Sequence, residues 1–470
     1  MGGFYSPSDV DGRKFDVVVI GSGMGGAAAA LRAAELGLKP LIVEKGTPGG
    51  TCVNVGCVPT KYLLRVSEEY SDLISMSRQG IFEGVPKPNL STVMARKREL
   101  INQVIMWYMD YVFPSYGVPV VKGTGRILGP HVVAVDGARV EANAIVVATG
   151  SRPILPPIKG VEEALRRGFA VTSDEALSFE EAPEHLLVVG GGAIGLELAT
   201  LWHGFGSRVT IVELMPRILP MMDPDISKAL DEILRGKGFE IITGRRVARI
   251  DPERGEVTLD DGRRIQCDRV LIATGRKPST EGLGLENVGV KLGPHGEIVV
   301  DEHARTNVPS IYAAGDVTGA PYLASIAKIQ GIIAGENIAG LDTSYDPSLV
   351  PMAVFTDPEA AGVGVSARKG EPGYIVKRFP AAVNYKAIVY ERAFGVAKIV
   401  ARASDKRLVG FHMVGLHASE VVNSAAIAIK RGVRLDEIRE IIFTHPVMSE
   451  VFLDAMHLAE GVNVYLPRRG

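Results

Sequence analysis

Two stretches of the chain carry the same succession of apolar and polar positions. In FDVVVIGSGMGGAAAALRAAELGLKPLIVE, and again in HLLVVGGGAIGLELATLWHGFGSRVTIVE, an unbroken apolar run leads into a glycine cluster. A small-residue and apolar segment of helical length follows, then a second apolar run ending in glutamate. The pattern predicts strand, tight turn, helix and strand, and its recurrence is an internal repeat. The first copy holds Gly21, Gly23, Gly26 and Glu44; the second holds Gly190, Gly192, Gly195 and Glu213. In both, the glutamate lies 18 residues beyond the last glycine. The first glycine makes the turn, the second lets a pyrophosphate approach the backbone, and the third allows close packing of helix on strand. The acidic residue meets a ribose hydroxyl pair. One such fingerprint is weak evidence for a dinucleotide site; two with identical spacing are strong.

Each unit closes on a matching strand, VVATGSRP from Val146 to Pro153 and LIATGRKP from Leu271 to Pro278. Glycines after a strand let the chain leave one nucleotide domain for another, so the second domain is expected inside the first. The segment from about Leu283, with SIYAAGDV at Ser310 to Val317, then returns to complete the first domain. On local grounds Asp316 in that turn reads equally well as a cap for the next helix. A proline-bounded linker, DPSLVPMAVF at Asp346 to Phe355, leads into strands and helices without a glycine fingerprint. The expected layout is a polar tail over 1–14, a first nucleotide domain over 15–153 and 283–348, an inserted one over 154–282, and a separate domain over 349–470. The fold class is α/β, with two Rossmann-like domains and a C-terminal α+β domain.

Composition narrows the possibilities. A 470-residue chain with 46% hydrophobic and 23% charged residues, a net charge of −2 and 54 glycines describes a globular protein with many tight turns. Nothing in it points to a nucleic-acid partner. The longest early charge-free run, Val17 to Leu31, spans 15 residues, is broken by glycines and falls short of a membrane span. No secretory leader precedes it, so the cytoplasm is the expected location. The opening MGGFYS matches the Gly2-to-Ser6 spacing of a myristoylation signal, a pattern loose enough to arise by chance.

The three cysteines, Cys52, Cys57 and Cys267, are too few for a disulfide framework or a closed zinc site, and no metal site is expected. Cys52 and Cys57 lie in GGTCVNVGCVPTK. Five residues of ideal helix span about 7.5 Å, beyond the roughly 7 Å limit on Cα separation for a disulfide. A bridge therefore needs a broken turn, for which Asn54 and Gly56 offer backbone freedom. Pro59 suits a helix start, whose positive end favours thiolate. This is a redox-active cysteine environment. Cys267, without a neighbour in sequence, is expected to pack beside a hairpin. In the C-terminal domain, FTHPVMSE places His445 in an extended or loop segment before a proline, with Glu450 five residues later.

The two nucleotide folds, CVNVGC, AAGDV and HPVMSE together resemble the flavin-dependent pyridine-nucleotide disulfide oxidoreductases, from about Lys14 to Leu466, and most closely the members that oxidise dihydrolipoamide. The resemblance implies FAD in the first domain, with Glu44 on the adenosine ribose and Asp316 on the ribityl chain. It implies NAD in the second. Further cofactor contacts are implied at Lys45, Thr51, Lys61, Gly123, Thr149 and Gly150 for FAD, and at Ile194 and Gly275 for NAD. Cys57 matches the thiol facing the flavin, and Cys52 the thiol that exchanges with substrate. Lys61 pairs with Glu197 near the flavin, His445 is the general base, and Glu450 orients it. The implied reaction takes electrons from dihydrolipoamide through the Cys52–Cys57 disulfide and FAD to NAD. The partners implied are lipoamide, free or on a separate acyltransferase chain, and a second copy of the chain that shares the active site.

Departures bear on the substrate. Mercuric reductases and large thioredoxin reductases of this family need a C-terminal redox pair, whereas no cysteine follows Cys267 here. Tyr62 after Lys61 and Phe443 two before His445 differ from the closest relatives. The alternative is an NAD(P)H-dependent reductase of another disulfide or of a metal. A redox-sensing flavoprotein without turnover fits less well, because a sensor has no use for a positioned base.

Overall fold

The computed structural model describes residues 3–467. The strands β1 (Lys14–Ile20), β2 (Pro40–Glu44) and β3 (Val120–Lys122) are parallel neighbours. Helices make the crossovers: α1 (Met24–Glu35) joins the first two strands, and α2 (Gly50–Asn54), α3 (Cys57–Arg78) and α4 (Leu90–Met106) lie between the second and third. Their apolar runs are unbroken because both faces of the sheet are covered. A meander of β4 (Gly125–Gly129), β5 (Val132–Val135) and the ten-residue β6 (Ala138–Val147) completes the first pass.

Residues 5–10, part of the expected polar tail, are held to the fold. Tyr5 pairs with Val121 at the sheet edge, Ser6 and Asp9 close a capping box, and Val10 is fully buried in the core under β1. A single buried valine and a few backbone hydrogen bonds suffice for this, and a polar composition conceals both. The Gly2 spacing lies outside the described residues.

After the short strand β7 (Ser151–Pro153) the chain enters the second nucleotide domain. Its parallel sheet combines β8 (Ala170–Val171), β9 (His185–Val189), β10 (Arg208–Glu213), β11 (Glu240–Thr243) and β12 (Arg269–Ile272), in the order β11-β10-β9-β12-β8. Helix α5 (Ala193–Gly204) follows the glycine turn, and α6 (Pro224–Gly236) precedes β11. Exit is through β13 (Arg276–Pro278), paired antiparallel with β7, so the two ends of the insertion are zipped together. The chain then returns: β14 (Ile311–Ala313) adds to the free edge of β6 beyond β5, and α7 (Ala324–Ile338) packs on α1. That contact explains the run of alanines in α1. A Cβ on Gly331 would stand 2.1 Å from the Gly25 carbonyl oxygen, and one on Gly335 2.9 Å from that of Ala29.

The C-terminal domain is an antiparallel sheet of β15 (Met352–Val354), β16 (Glu359–Gly364), β17 (Tyr374–Pro380), β18 (Val396–Arg402) and β19 (Leu408–Gly415), in the order β15-β16-β19-β18-β17. Helices α8 (Tyr385–Val389), α9 (Ala418–Lys430) and α10 (Glu450–Glu460) accompany it, the last two sharing one apolar core with the sheet. No helix among the described residues is long and apolar enough to cross a membrane.

The inserted and C-terminal domains are joined by a buried ion pair. Lys398 of β18, 2% exposed, meets Asp223 at the N-cap of α6, fully buried, at 2.7 Å, and Asp225 at 2.9 Å. Burial opposes the charge on Asp223, but hydrogen bonds from Lys398 and Ser366 hold its carboxyl below the usual range. Its contribution is therefore present at neutral pH and lost on acidification through that depressed value. Asp223→Ala leaves the lysine buried with only Asp225 and is expected to cost about 3 kcal/mol. Denaturant unfolding at pH 7 checks this.

Candidate active site

The thiol pair sits where α2 ends and α3 begins. The break between them is made by Gly56, at φ −139° and ψ −116°. A Cβ there would lie 2.7 Å from the Thr51 carbonyl oxygen and 3.2 Å from the Cys52 Cα, so only glycine brings Cys57 against the turn that carries Cys52. Asn54 does not act through backbone freedom as expected. It stays helical, and its amide donates to the carbonyls of Gly50 at 2.9 Å and Pro48 at 3.0 Å, holding the short helix together. Cys57 is the first residue of α3, and Pro59 falls in the first turn, where no N–H partner is lost.

The two sulfurs differ in character. A hydrogen bond from the Cys52 thiol lowers the Cys57 thiol, burial opposes this, and the Lys61 cation adds to the lowering, leaving it at about 7. The same hydrogen bond and burial push Cys52 upward. The thiolate therefore resides on Cys57, at the positive end of α3. Cys267 is buried, which pushes its thiol up to about 12, and it packs in the core of the inserted domain.

Lys61, one turn into α3, donates to Glu197 of α5 at 2.7 Å. The helices can approach because a Cβ on Gly204 would meet the Ser67 hydroxyl at 2.5 Å. The other oxygen of Glu197 accepts from the Phe355 N–H at 3.1 Å, and the Lys61 ammonium lies 4.2 Å from the centre of the Phe355 ring. Neither Gly204 nor Phe355 carries a signal in the sequence, since both matter only once three domains meet. Tyr62 is half-buried against the core of the inserted domain, and Phe443 against that of the C-terminal one.

His445 is 54% exposed, and its Nδ1 is 2.8 Å from Glu450 at the start of α10. The second oxygen of Glu450 accepts from the Val447 N–H at 2.9 Å. The carboxylate thus fixes the ring and leaves Nε2 facing outward, the arrangement a base needs. Asn384 ties the loop by donating to the Val447 carbonyl at 3.1 Å, and Tyr385 stands edge-on to the imidazole with ring centres 5.4 Å apart. Among the described residues, Glu450 is the one side-chain hydrogen-bond partner of His445. The structure does not pair the histidine with the thiols of its own chain.

The glycine turns can be tested for their fit to nucleotides. Gly21 and Gly26 are dictated by packing: a Cβ would lie 2.4 Å from the Ala148 oxygen and 1.9 Å from that of Gly21. Gly190 and Gly195 repeat this at 2.3 and 2.1 Å from the oxygens of Ala273 and Gly190. Gly192 differs, for nothing lies within 4 Å of an added Cβ. Packing does not require glycine there, at the N-cap of α5, whereas a pyrophosphate approaching the N–H groups does. Gly23, the N-cap of α1, likewise has no atom closer than 3.9 Å.

Glu44 and Glu213, the carboxylates expected at the riboses, are both buried and braced by backbone. Glu44 accepts from the N–H groups of Ser22 at 2.9 Å and Gly46 at 2.6 Å; Glu213 accepts from Gly191 at 2.6 Å and Met215 at 2.7 Å. The Gly123 N–H donates to the Glu44 carbonyl at 3.0 Å. Thr51 lies in α2, Lys45 is exposed beside Glu44, and Ile194 is half-buried against the core. Thr149, Gly150 and Gly275 line the crossing between the two nucleotide domains. There the Thr149 hydroxyl donates to the Ser279 carbonyl at 2.8 Å, and the Ile154 N–H to that of Gly275 at 3.0 Å. Asp316 is no helix cap, because α7 starts eight residues later, with Leu323 at its N-cap. These residues fit the two cofactors.

A groove of about 430 Å³ runs along α1 beside the turn that carries Cys52. Ala28, Leu31, Ile105, Tyr108 and Phe113 make it apolar; of its charges, Arg32 is paired with Glu35 and Glu336, and Lys328 is the one cation left without an ion pair among the described residues.

Comparison with known proteins agrees with this geometry. Residues 15–331 match the model of the pyridine nucleotide-disulphide oxidoreductases, and residues 350–456 match that family's dimerisation domain. The chain is 36% identical to the dihydrolipoyl dehydrogenase of Bacillus subtilis, over 96% of this chain and 99% of that one. It is 35% identical to a mercuric reductase of Lysinibacillus sphaericus, over 93% of this chain and 81% of that one. The HOCl-induced flavoprotein disulfide reductase RclA from Escherichia coli, solved as a Cu(II) complex, superposes with a TM-score of 0.85 at 29% identity, covering 95% of this chain and 99% of that one. With a paired-thiol turn, two braced nucleotide folds and a dimerisation domain in one chain, this protein belongs to the pyridine nucleotide-disulphide oxidoreductases, flavoprotein enzymes that use FAD and a pyridine nucleotide.

Proposed function

We propose that this enzyme oxidises dihydrolipoamide, free or carried on a separate acyltransferase chain, to lipoamide with reduction of NAD. The observation that carries the reading is the groove beside Cys52, sized for an alkyl arm, walled mainly by apolar side chains and offering one uncommitted charge among the described residues, Lys328. A glutathione-like disulfide would bring several carboxylates to a groove that offers them one uncommitted cation among the described residues, Lys328.

His445, held by Glu450, takes the proton of one substrate thiol, and the resulting thiolate attacks Cys52. The Cys52–Cys57 bond breaks, and its electron pair remains on Cys57, the sulfur whose thiolate the site favours. The second substrate thiol gives its proton to solvent and attacks the substrate sulfur bound to Cys52; that bond breaks with its electron pair on Cys52, which takes the proton held by His445, and the cyclic disulfide is released. FAD, when bound, supplies the two-electron path from Cys57 to NAD. The Lys61–Glu197 pair presents a fixed cation behind Cys57. His445 is supplied by the second subunit of a homodimer.

The test is a comparison of rates. Dihydrolipoamide with NAD should exceed glutathione disulfide, Hg(II) and Cu(II) with NADH or NADPH by about 100-fold or more in kcat/KM, the scale on which a mismatched polar group is rejected. A metal ion or another disulfide outrunning dihydrolipoamide would establish the alternative reductase activity instead.

NAD is expected over NADP. Glu213 is fixed by two N–H groups at the ribose position, so a 2′-phosphate meets an immobile carboxylate. Arg217 is the residue able to offset this. Its guanidinium, in the loop before α6, donates to the Pro220 carbonyl at 2.6 Å. A preference of about 100-fold in kcat/KM is expected, on the order of 2–3 kcal/mol, and Glu213→Ala should narrow it. Equal efficiency with both nucleotides refutes the assignment.

A further inference from the structure

The two exit strands of the inserted domain do more than close it. On β13, the Arg276 Nε donates to the Ser151 hydroxyl at 2.7 Å, and a second guanidinium nitrogen donates to the Ser151 carbonyl at 2.9 Å. Ser151, on β7 and 8% exposed, is in turn 2.5 Å from a carboxylate oxygen of Asp316. The direction of this chain is fixed. Guanidinium only donates and carboxylate only accepts, so the hydroxyl takes a hydrogen bond from Arg276 and gives its single proton to Asp316. One oxygen of Asp316 is thereby committed, and the other stays available. The backbone before it is set by Gly315, at φ 84°, whose N–H is held by Gln330 at 2.8 Å. The same ribbon grips the neighbouring flavin-side residues, since the Ser279 N–H donates to the Gly150 carbonyl at 2.9 Å.

We infer that Arg276 and Ser151 are positioning residues for FAD: a cation, hydroxyl and carboxylate relay by which the exit strand of the nicotinamide domain orients Asp316 toward the sugar chain of the flavin. The inference rests on the reading of Asp316 as a flavin contact. It explains why a buried serine and an arginine from another domain converge on one carboxylate. It also gives the seating of the nicotinamide domain a direct effect on how tightly flavin is held.

The experiment measures FAD release from diluted holoenzyme, read as the rise of free-flavin fluorescence. Arg276→Met and Ser151→Ala should each speed release about tenfold, the scale of one charge-assisted hydrogen bond. The double variant should be no faster than the quicker single one, because both act through the same carboxylate. Arg276→Lys, which keeps a donor, should restore part of the loss. NAD affinity should stay unchanged in Ser151→Ala, which distinguishes positioning from collapse of the inserted domain. Additive effects in the double variant, or wild-type release from Ser151→Ala, overturn the relay. Asp316→Asn separates the two layers. Wild-type release from it would remove Asp316 as a flavin contact, whereas fast release from it with normal release from the other variants would remove the relay alone.

Discussion

Cys52→Ser is expected to purify yellow, with FAD retention unchanged, and to lose dihydrolipoamide oxidation by at least about 10³-fold, the scale of losing a covalent nucleophilic partner. The serine keeps the shape of the turn and the hydrogen bond to Cys57, so the fold has no reason to change. What disappears is the sulfur that the substrate thiolate attacks in the proposed mechanism. The variant also isolates Cys57, whose thiol lies at about 7. Cys57 should therefore show thiolate-to-flavin absorbance at long wavelength that is present at pH 8 and fades as the pH falls through about 7. The direction follows from the lowered value: above it the sulfur is charged and can donate, below it the sulfur is protonated. Loss of the hydrogen bond from Cys52 in other variants should move this midpoint upward. Retained dihydrolipoamide activity in Cys52→Ser would sink the disulfide mechanism.

The second large effect concerns where the base comes from. Neither Cys52→Ser nor His445→Gln homodimers should turn over. Mixed dimers are a different case under a two-fold axis, because residue i of one chain meets residue j of the other in both sites. If His445 serves the thiols of the partner, one site of a mixed dimer receives both lesions and the other receives none. Random pairing makes half of the dimers mixed, so co-refolding equal amounts of the two inactive chains should return roughly a quarter of wild-type activity. The exposure of His445, its lack of a hydrogen bond to its own thiols and the dimerisation domain that carries it motivate the experiment. Verified mixed dimers without activity would place the base within the chain.

Much of this architecture is legible in the sequence because its causes are local. Gly26 and Gly195 are demanded by the carbonyls of Gly21 and Gly190 within a single strand–turn–helix unit, and Gly21 and Gly190 by Ala148 and Ala273 at the end of the strand that closes the same domain, so their spacing survives as a readable pattern. The break between the two cysteines is legible for the same reason, although the sequence does not reveal that Gly56 is required by the approach of the Cys52 backbone. What stays hidden depends on distant elements meeting. Gly204 matters because α5 crosses Ser67, Phe355 because a third domain supplies an N–H to Glu197, and Tyr385 because the start of α8 lies against His445. Arg276 and Ser151 lie within a recognised motif, yet their joint role emerges only when the exit strands zip together. The N-terminal segment was obscured by composition, since one buried valine, Val10, and the backbone pairing of Tyr5 anchor a stretch that otherwise reads as polar.

The most direct test is anaerobic. Oxidised holoenzyme is mixed with one equivalent of dihydrolipoamide per site, and flavin absorbance and the titratable thiols of the protein, freed of small molecules by rapid gel filtration, are followed before and after NAD is added. The account predicts two new thiols per chain with long-wavelength absorbance from Cys57, then one NADH formed per site as both signals return to their starting values. An enzyme that dihydrolipoamide leaves oxidised, but that a reduced nicotinamide nucleotide reduces readily, would contradict it.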